Sequence, residues 1–401
     1  MKFSKSVLLA SMLATPMFAA AKAPASSATN QLNISAVLNG YYQSEQKALS
    51  NREKGFGLGE TELALSGNID DAFYGKMTTV LVSDGSETEV ELEEAFIQTM
   101  SLPAGFSIRG GRFLSDIGYL NSLHMHTDAF TDRPAVYRAF LGGHYFDDGL
   151  RLDYVAPTDL YWSMGVEALK GANMRAKNDE HKTKEVGIYT AYTKFGGDIN
   201  DSSSWMMGLS YLNNQNGIAE LHHEEDDDHG DEHKGEDKHS GHDHGAKYTG
   251  KNLYGVDAVY KWAPNGNFKY QHFTLSGEYF RMTDLFSADE HQHDLDDKSH
   301  QGWYVSGVYQ WSPKWSTGLR YGRVDVQVAH EHEEDGKHEV ELERQSLKET
   351  EFQISYHHSH FSTIRLQYTN QQGQESLKPT DEHSVTLQFI MTLGAHSAHQ
   401  F

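Results

Sequence analysis

The chain has 401 residues, with 34 Lys+Arg against 57 Asp+Glu, a formal charge of −23, 24 His and no Cys. So acidic a chain lacks the basic face that a nucleic acid needs, and the missing cysteine excludes disulfide staples, thiolate zinc sites and cysteine nucleophiles. An aromatic content of 11% argues against a disordered acidic chain, and the length suits two ordinary domains or one large barrel.

Residues 1–21 read as a secretory signal peptide. Lys2 and Lys5 give a positive start, Val7 to Phe18 is mostly apolar, and Ala19-Ala20-Ala21 supplies the small residues of a cleavage site. No later stretch reaches the roughly 18 apolar residues of a membrane helix. An exported bacterial envelope protein is expected, with residues 22–401 as one body.

That body reads in period two. Approximate strands fall at 32–44, 57–69, 72–82, 89–101, 105–113, 149–156, 160–169, 185–195, 204–213, 251–262, 270–282, 301–311, 315–328, 347–357, 361–370 and 382–395. The last is the clearest. Val385, Leu387, Phe389, Met391 and Leu393 alternate with Thr386, Gln388, Ile390 and Thr392, and only Ile390 breaks the pattern. Leu150 and Leu152 flank Arg151, Leu319 and Tyr321 flank Arg320, and Leu366 and Tyr368 flank Arg365 in the same way. Between Val90 and Ile97 the alternation slips, which is the mark of a β-bulge. Helical periodicity is hard to find.

The links alternate as well. Short turns at 68–71, 101–105, 157–159, 264–267 and 312–314 separate long polar links at 45–56, 83–88, 114–148, 170–184, 214–250, 283–300, 329–346 and 371–381. Trp162, Trp303, Trp311, Trp315, Tyr321 and Tyr368 suit an interfacial girdle. The expected fold is therefore all-β: a transmembrane antiparallel β-barrel of about 16 strands, with short periplasmic turns and long extracellular loops. A soluble β-sandwich has no use for outward-facing aromatics at its strand ends.

On these features the chain resembles Gram-negative outer-membrane porins, of the phosphate-selective-porin-like and general-porin group. The residues that carry the resemblance are 57–67 (GLGETELALSG), the hairpin from Glu94-Ala95-Phe96 to Gly110-Gly111-Arg112-Phe113, and the last strand with its terminal Phe401. Residues 118–149 are also similar to a segment of uncharacterised outer-membrane proteins associated with zinc-regulated genes. The resemblance implies an outer-membrane location, a lipid-facing wall, a homotrimer, assembly through the barrel assembly machinery, and an inward-folded constriction in the third long link. The chain departs from phosphate-selective porins in lacking a lumen rich in arginine and lysine. It is also too short for a TonB-dependent receptor, which adds a plug to about 22 strands.

Eighteen of the 24 histidines then fall in or beside the outer links. The richest segment, 220–247 within the 214–250 loop, holds seven His and eleven Asp/Glu against three Lys. Imidazole with carboxylate suits zinc, with copper and nickel as alternatives. His222, His223, His229, His233, His239, His242 and His244 are the main candidate ligands, joined by His291, His293, His330 and His332 from other loops. In the third link, residues 114–148, His124 and His126 are candidates for an ion station completed by one of Asp128, Asp132, Asp147 or Asp148. Pore-lining charge is expected from Asp128, Asp132, Arg133, Arg138, Arg109, Arg151, Arg320 and Arg365, and Arg133 and Arg138 could instead anchor the loop through carboxylates. No Ser/His/Asn set suggests an enzyme and no cofactor is required. The expected function is passive uptake of a divalent metal, most simply zinc. The competing reading is a general or anionic-solute porin whose His-rich loops serve only as a solvated surface.

Overall fold

In the computed structural model, residues 32–84, 87–176, 184–220, 245–287, 298–334 and 337–394 are described, with side chains at 82–88, 220 and 331–340 outside that description. The last strand shows the rule that builds the molecule. In His383–Gly394, Val385, Leu387, Phe389 and Leu393 are exposed while Thr386, Gln388 and Thr392 are buried. A sheet in water does the reverse. Apolar outside and polar inside describes a sheet closed round a polar lumen and bathed in lipid. Ile390, which breaks the alternation, is buried among the inward residues. The inversion recurs at Leu150 and Leu152 around buried Arg151, and at Leu366 and Tyr368 around buried Arg365 and Gln367.

The barrel strands are β1 (Asn33–Gln43), β2 (Gly55–Leu58 continued by Thr61–Asn68), β3 (Phe73–Asp84), β4 (Glu87–Thr99), β5 (Phe106–Leu114), β6 (Phe146–Val155), β7 (Tyr161–Leu169) and β8 (Ile188–Asn200). They continue with β9 (Ser203–Asn214), β10 (Asn252–Trp262), β11 (His272–Thr283), β12 (Ser299–Ser312), β13 (Trp315–Glu334), β14 (Lys337–Ser359), β15 (Ser362–Gly373) and β16 (His383–Gly394). Each pairs antiparallel with the next. β1 closes on β16, from Ser35 opposite Gly394 to Gln43 opposite Thr386. The result is a closed sixteen-strand antiparallel barrel, as the alternation predicts. Closure leaves no strand edge unpaired, which lipid demands. Trp311 and Trp315 stack at 6.5 Å beside the short turn they flank, and Trp162 stacks on Phe195 at 5.6 Å at the same end. These are girdle positions, and the short-turn end is taken as periplasmic.

Two of the expected loops are strand instead. β13 and β14 stay paired out to Glu334 opposite Lys337, so most of 329–346 is a projecting hairpin. β3 and β4 likewise pair to Asp84 opposite Glu87, within the expected 83–88 loop. Backbone pairing continues where the chain leaves lipid, but the apolar stripe that reveals a strand in the sequence stops there.

The third long link lies inside the barrel. Its helix α1 (Ala135–Phe140) is buried at all six positions. Val136, Tyr137 and Phe140 join Phe280, Tyr304, Val324 and Leu347 of the far wall in one apolar core, with Tyr137 edge-on to Phe280 at 5.5 Å. Each such buried side chain contributes roughly 1.5–3 kcal/mol. Polar ties add direction. Glu278 accepts from the backbone N–H of Tyr119 (2.8 Å) and from the hydroxyls of Tyr137 (2.8 Å) and Tyr304 (2.7 Å).

Candidate metal site inside the barrel

Two irregularities in the wall put acids where alternation alone would not. Between β3 and β4 the register passes from Thr78 opposite Glu94 to Thr79 opposite Leu92, so Glu93 is an inserted residue. The bulge lets both Glu93 and Glu94 face the lumen, where they are 1% and 3% exposed. In β2 the pairing with β1 passes from Leu58 opposite Gly40 to Glu62 opposite Val37, again with one extra residue, around Gly59-Glu60. A Cβ on Gly59 would stand 2.7 Å from Asn39 Nδ2, so a larger residue at the kink would displace that side chain. The lumen wall thus presents Glu60, Glu62, Glu93 and Glu94 in one patch, with Lys76 and Thr78 on β3 between them.

The inward loop lays three imidazoles on that patch. His124 and His126 flank Met125 in a short 3-10 turn, closed by the Thr127 hydroxyl donating to His124 O at 2.7 Å. His144 follows α1 through Gly142 and Gly143, at φ 63° and 99° in the left-handed region. These glycines end the helix, with the Gly143 N–H donating to Tyr137 O at 3.1 Å. His124 Nδ1 lies 3.0 Å from Glu93 Oε2 and 3.4 Å from Glu62 Oε2, and its Nε2 lies 3.1 Å from Glu94 Oε2. His144 Nε2 lies 2.9 Å from Glu93 Oε1, and its Nδ1 3.5 Å from Glu60 Oε1. His126 Nδ1 is 2.6 Å from Glu62 Oε1. Lys76 Nζ sits 2.5 Å from Glu94 Oε2 and 2.8 Å from His124 Nε2.

The patch is short of positive charge. Lys76 answers Glu94, which also accepts from the Thr78 hydroxyl at 3.0 Å. Among the described residues, no lysine or arginine pairs with Glu60, Glu62 or Glu93, whose near neighbours are the imidazoles of His124, His126 and His144. Burial pushes the His124 imidazole down, but Glu62, Glu93 and Glu94 outweigh it and hold it well above the ordinary histidine value. An unanswered buried carboxylate costs several kcal/mol; the His124 imidazolium supplies one positive charge to this group of acids, and a bound cation in its place would supply more. Glu60, Glu93 and His144 form one ligand triad, and Glu62, Glu93 and His124 another, each with its donor atoms within 4.8 Å of one another. A cavity of about 80 Å³, lined in part by Glu60, Met125, Asp132 and Gly143, reaches the cluster beneath the first long loop.

His124 and His126 therefore meet carboxylates, but the glutamates of the wall rather than the aspartates of their own loop. Asp128 pairs with Arg133 at 2.7 Å. Asp132 accepts from the Ser50 hydroxyl at 2.6 Å and lies 3.3 Å from Lys47. Asp147 accepts from the Gly171 N–H at 2.6 Å, and Asp148 pairs with Arg112 at 2.7 Å.

The arginines are anchors rather than free pore charge. Arg138 pairs with Glu349 at 2.7 Å, Arg151 with Glu167 at 2.6 Å, and Arg320 with Glu351. Arg320 also holds Asp132 O at 2.7 Å, and Arg365 holds Asp128 O at 2.7 Å and Phe130 O at 3.1 Å. Arg109 bonds Gln98 and covers the Phe96 ring at 4.2 Å. His330 comes within 3.3 Å of Glu343 on the projecting hairpin, near Glu375. The side chain of His332 and all of His222, His223, His229, His233, His239, His242, His244, His291 and His293 lie outside the described residues.

The fold is that of outer-membrane porins. It is similar to the outer membrane channel DcaP of Acinetobacter baumannii, at a TM-score of 0.56 and 13% identity over 92% of this chain and 99% of that one. An anion-selective porin from Comamonas acidovorans matches at 0.53 and 8% identity, covering 91% and all of that chain (100%). The trimer form of in-vitro folded OmpT, an outer membrane protein of Vibrio cholerae, matches at 0.52 and 7% identity, covering 91% and 99%. In sequence the chain is 27% identical over 391 residues to an uncharacterised protein of Aquifex aeolicus (strain VF5), covering 92% of this chain and 75% of that one. No sequence-family pattern matches the chain.

Proposed function

We propose that this porin-like channel passes divalent metal cations, with zinc the cargo its donors suit best, across the outer membrane of a Gram-negative bacterium. The carrying observation is the buried group of Glu60, Glu62 and Glu93 around His124 and His144, three carboxylates with no lysine or arginine partner among the described residues. Imidazole and carboxylate without thiolate favour exchangeable binding of zinc-like ions. A conducting path needs sites that attract yet release. The His-rich outer segment 220–247 acts upstream, raising the local cation concentration at the mouth. The partners in this reading are outer-membrane lipid, the assembly machinery that takes up the C-terminal segment, and two further copies in a homotrimer. The anionic-solute reading has less support, since the arginines it needs are spent on Glu167, Glu349, Glu351 and loop carbonyls.

Reversal potentials in planar bilayers under a salt gradient test this reading. Preference for cations, with conductance lowered by micromolar zinc occupying the path, is the expected result. Anion preference with no response to zinc overturns it. Deleting 221–244 should slow zinc capture at low concentration and leave cation preference intact.

A further inference from the structure

The cluster holds more than one donor set. Glu93 belongs to both triads, and its two oxygens point different ways: Oε1 toward His144 and Oε2 toward His124. We infer that the constriction carries a two-ion site bridged by the Glu93 carboxylate. One divalent cation is held by Glu60, Glu93 and His144, the other by Glu62, Glu93 and His124. The inference rests on reading the cluster as a metal station, but it does not require that the ions be conducted.

The local geometry supports it. A tetrahedral ion with donors at about 2.0–2.2 Å separates those donors by roughly 3.3–3.6 Å. His124 Nδ1 stands 3.4 Å from Glu62 Oε2, at that spacing, and 3.0 Å from Glu93 Oε2, which must open by a few tenths of an ångström to admit an ion. His144 faces Glu93 Oε1 through Nε2 at 2.9 Å and Glu60 Oε1 through Nδ1 at 3.5 Å, and one donor atom from each of the three lies within 4.8 Å of the others, so an ion here needs the ring or Glu60 to turn by one rotamer. The outer shell also fits. When Nδ1 of His124 binds metal, Nε2 carries the proton and faces Glu94 at 3.1 Å, and Lys76, whose ammonium only donates and stands 2.8 Å from that nitrogen, must turn to Glu94 alone. A carboxylate behind a ligating imidazole fixes its tautomer and orientation. Glu93 can serve two ions because it is the inserted residue of a bulge, aimed into the lumen beside Glu94 instead of out into lipid.

The bridge also ties the loop to the wall. His124 and His144 come from opposite ends of the inward loop, one before α1 and one after it, whereas the carboxylates come from β2, β4 and the kink at Glu60. A pair of ions here clamps both ends of the loop to the same side of the barrel.

The test counts zinc bound per chain by equilibrium dialysis and elemental analysis on the full-length protein in detergent, comparing differences so that outer-loop binding cancels. Folding of each variant is checked by heat-modifiable mobility. E93Q is expected to lose two ions relative to the native chain, H124A and H144A one each, and H124A/H144A two. If E93Q loses only one ion, or none, the bridge is wrong. If either histidine variant alone loses two, the sites are not separable as assigned. Zinc anomalous scattering from crystals should show two peaks flanking Glu93, and one peak or none contradicts the assignment. Two bound ions without zinc permeation would remove the transport reading and leave this one standing. Zinc permeation with unaltered stoichiometry in E93Q would do the opposite.

Discussion

Arg138→Met removes the guanidinium that ties α1 to β14. Arg138 is 3% exposed, with Nη2 2.7 Å from Glu349 Oε2 and Nη1 3.3 Å from Oε1, and Nη1 also donates to Arg133 O at 2.7 Å. Removing one partner of a buried pair costs about 3–5 kcal/mol, because the other charge stays buried and unanswered. Glu349 keeps a hydrogen bond from Gln371 Nε2 at 2.6 Å, which places the cost near the lower end, about 3 kcal/mol. At 1.4 kcal/mol per decade, that raises the population of chains with a released loop about 100-fold. Single-channel conductance and the rate of proteolysis within the loop at 115–145 both read this population, and both should rise. R138M/E349L leaves no orphaned charge and should recover most of the loss. Conductance and cleavage unchanged in R138M would refute the reasoning. So would a double variant that is worse than the single one.

Leu387→Arg puts a charge on the exposed apolar face of β16 and should destabilise the barrel in lipid by about 2–4 kcal/mol, read by reversible denaturant unfolding in bilayers; no change would place that face away from lipid. Lys76→Met removes the cation 2.8 Å from His124 Nε2 and should tighten zinc binding by about 10-fold in calorimetry, since like charge beside a cation site opposes occupancy. Weaker binding in K76M would mean the lysine orders the site instead of competing with the ion.

For Asp132, burial raises the carboxyl, but Lys47, Arg138, Arg52 and the Ser50 hydroxyl outweigh it and hold the group well below the usual range. Burial lowers Lys47 and Asp132 opposes that shift, as expected of a buried ion pair. Since the folded value lies below the unfolded one of about 3.9, the stabilisation is complete above that pH and is lost only as pH falls through the folded value. The difference in protease resistance of the inward loop between the native chain and Asp132→Asn should therefore be flat from pH 7 to about 4.5, with the variant lower throughout. A decline already at mildly acid pH would contradict this.

The wall was legible because lipid and lumen impose opposite demands on alternate residues, so each of the sixteen strands carries its own signature. That signature ends with the bilayer, which is why 329–346 and 83–88 read as loops although their backbones pair. The candidate site was half legible. His124 and His126 stood out as a spaced pair, and the slip between Val90 and Ile97 flagged the bulge. Glu93 and Glu94 at that slip were the available clue to the wall side of the site: two adjacent acids can share a face of a strand only through an inserted residue. Glu60, Glu62 and His144 look in sequence like ordinary strand and loop polar residues. They join the site through strand neighbourhood and through the turn at Gly142-Gly143, neither of which local pattern reveals. The lumen arginines sat on the right face, but their charge is consumed by carboxylates and carbonyls brought in by folding.

The central claim is that a metal-selective path runs past the Glu and His cluster. Zinc influx into liposomes carrying the full-length protein and a trapped zinc-sensitive dye measures it directly. The native chain should admit zinc well ahead of a neutral sugar of similar hydrated size, and E62Q/E93Q, still folded and still conducting potassium, should lose that preference. Equal zinc influx in the native chain and in E62Q/E93Q would contradict the account.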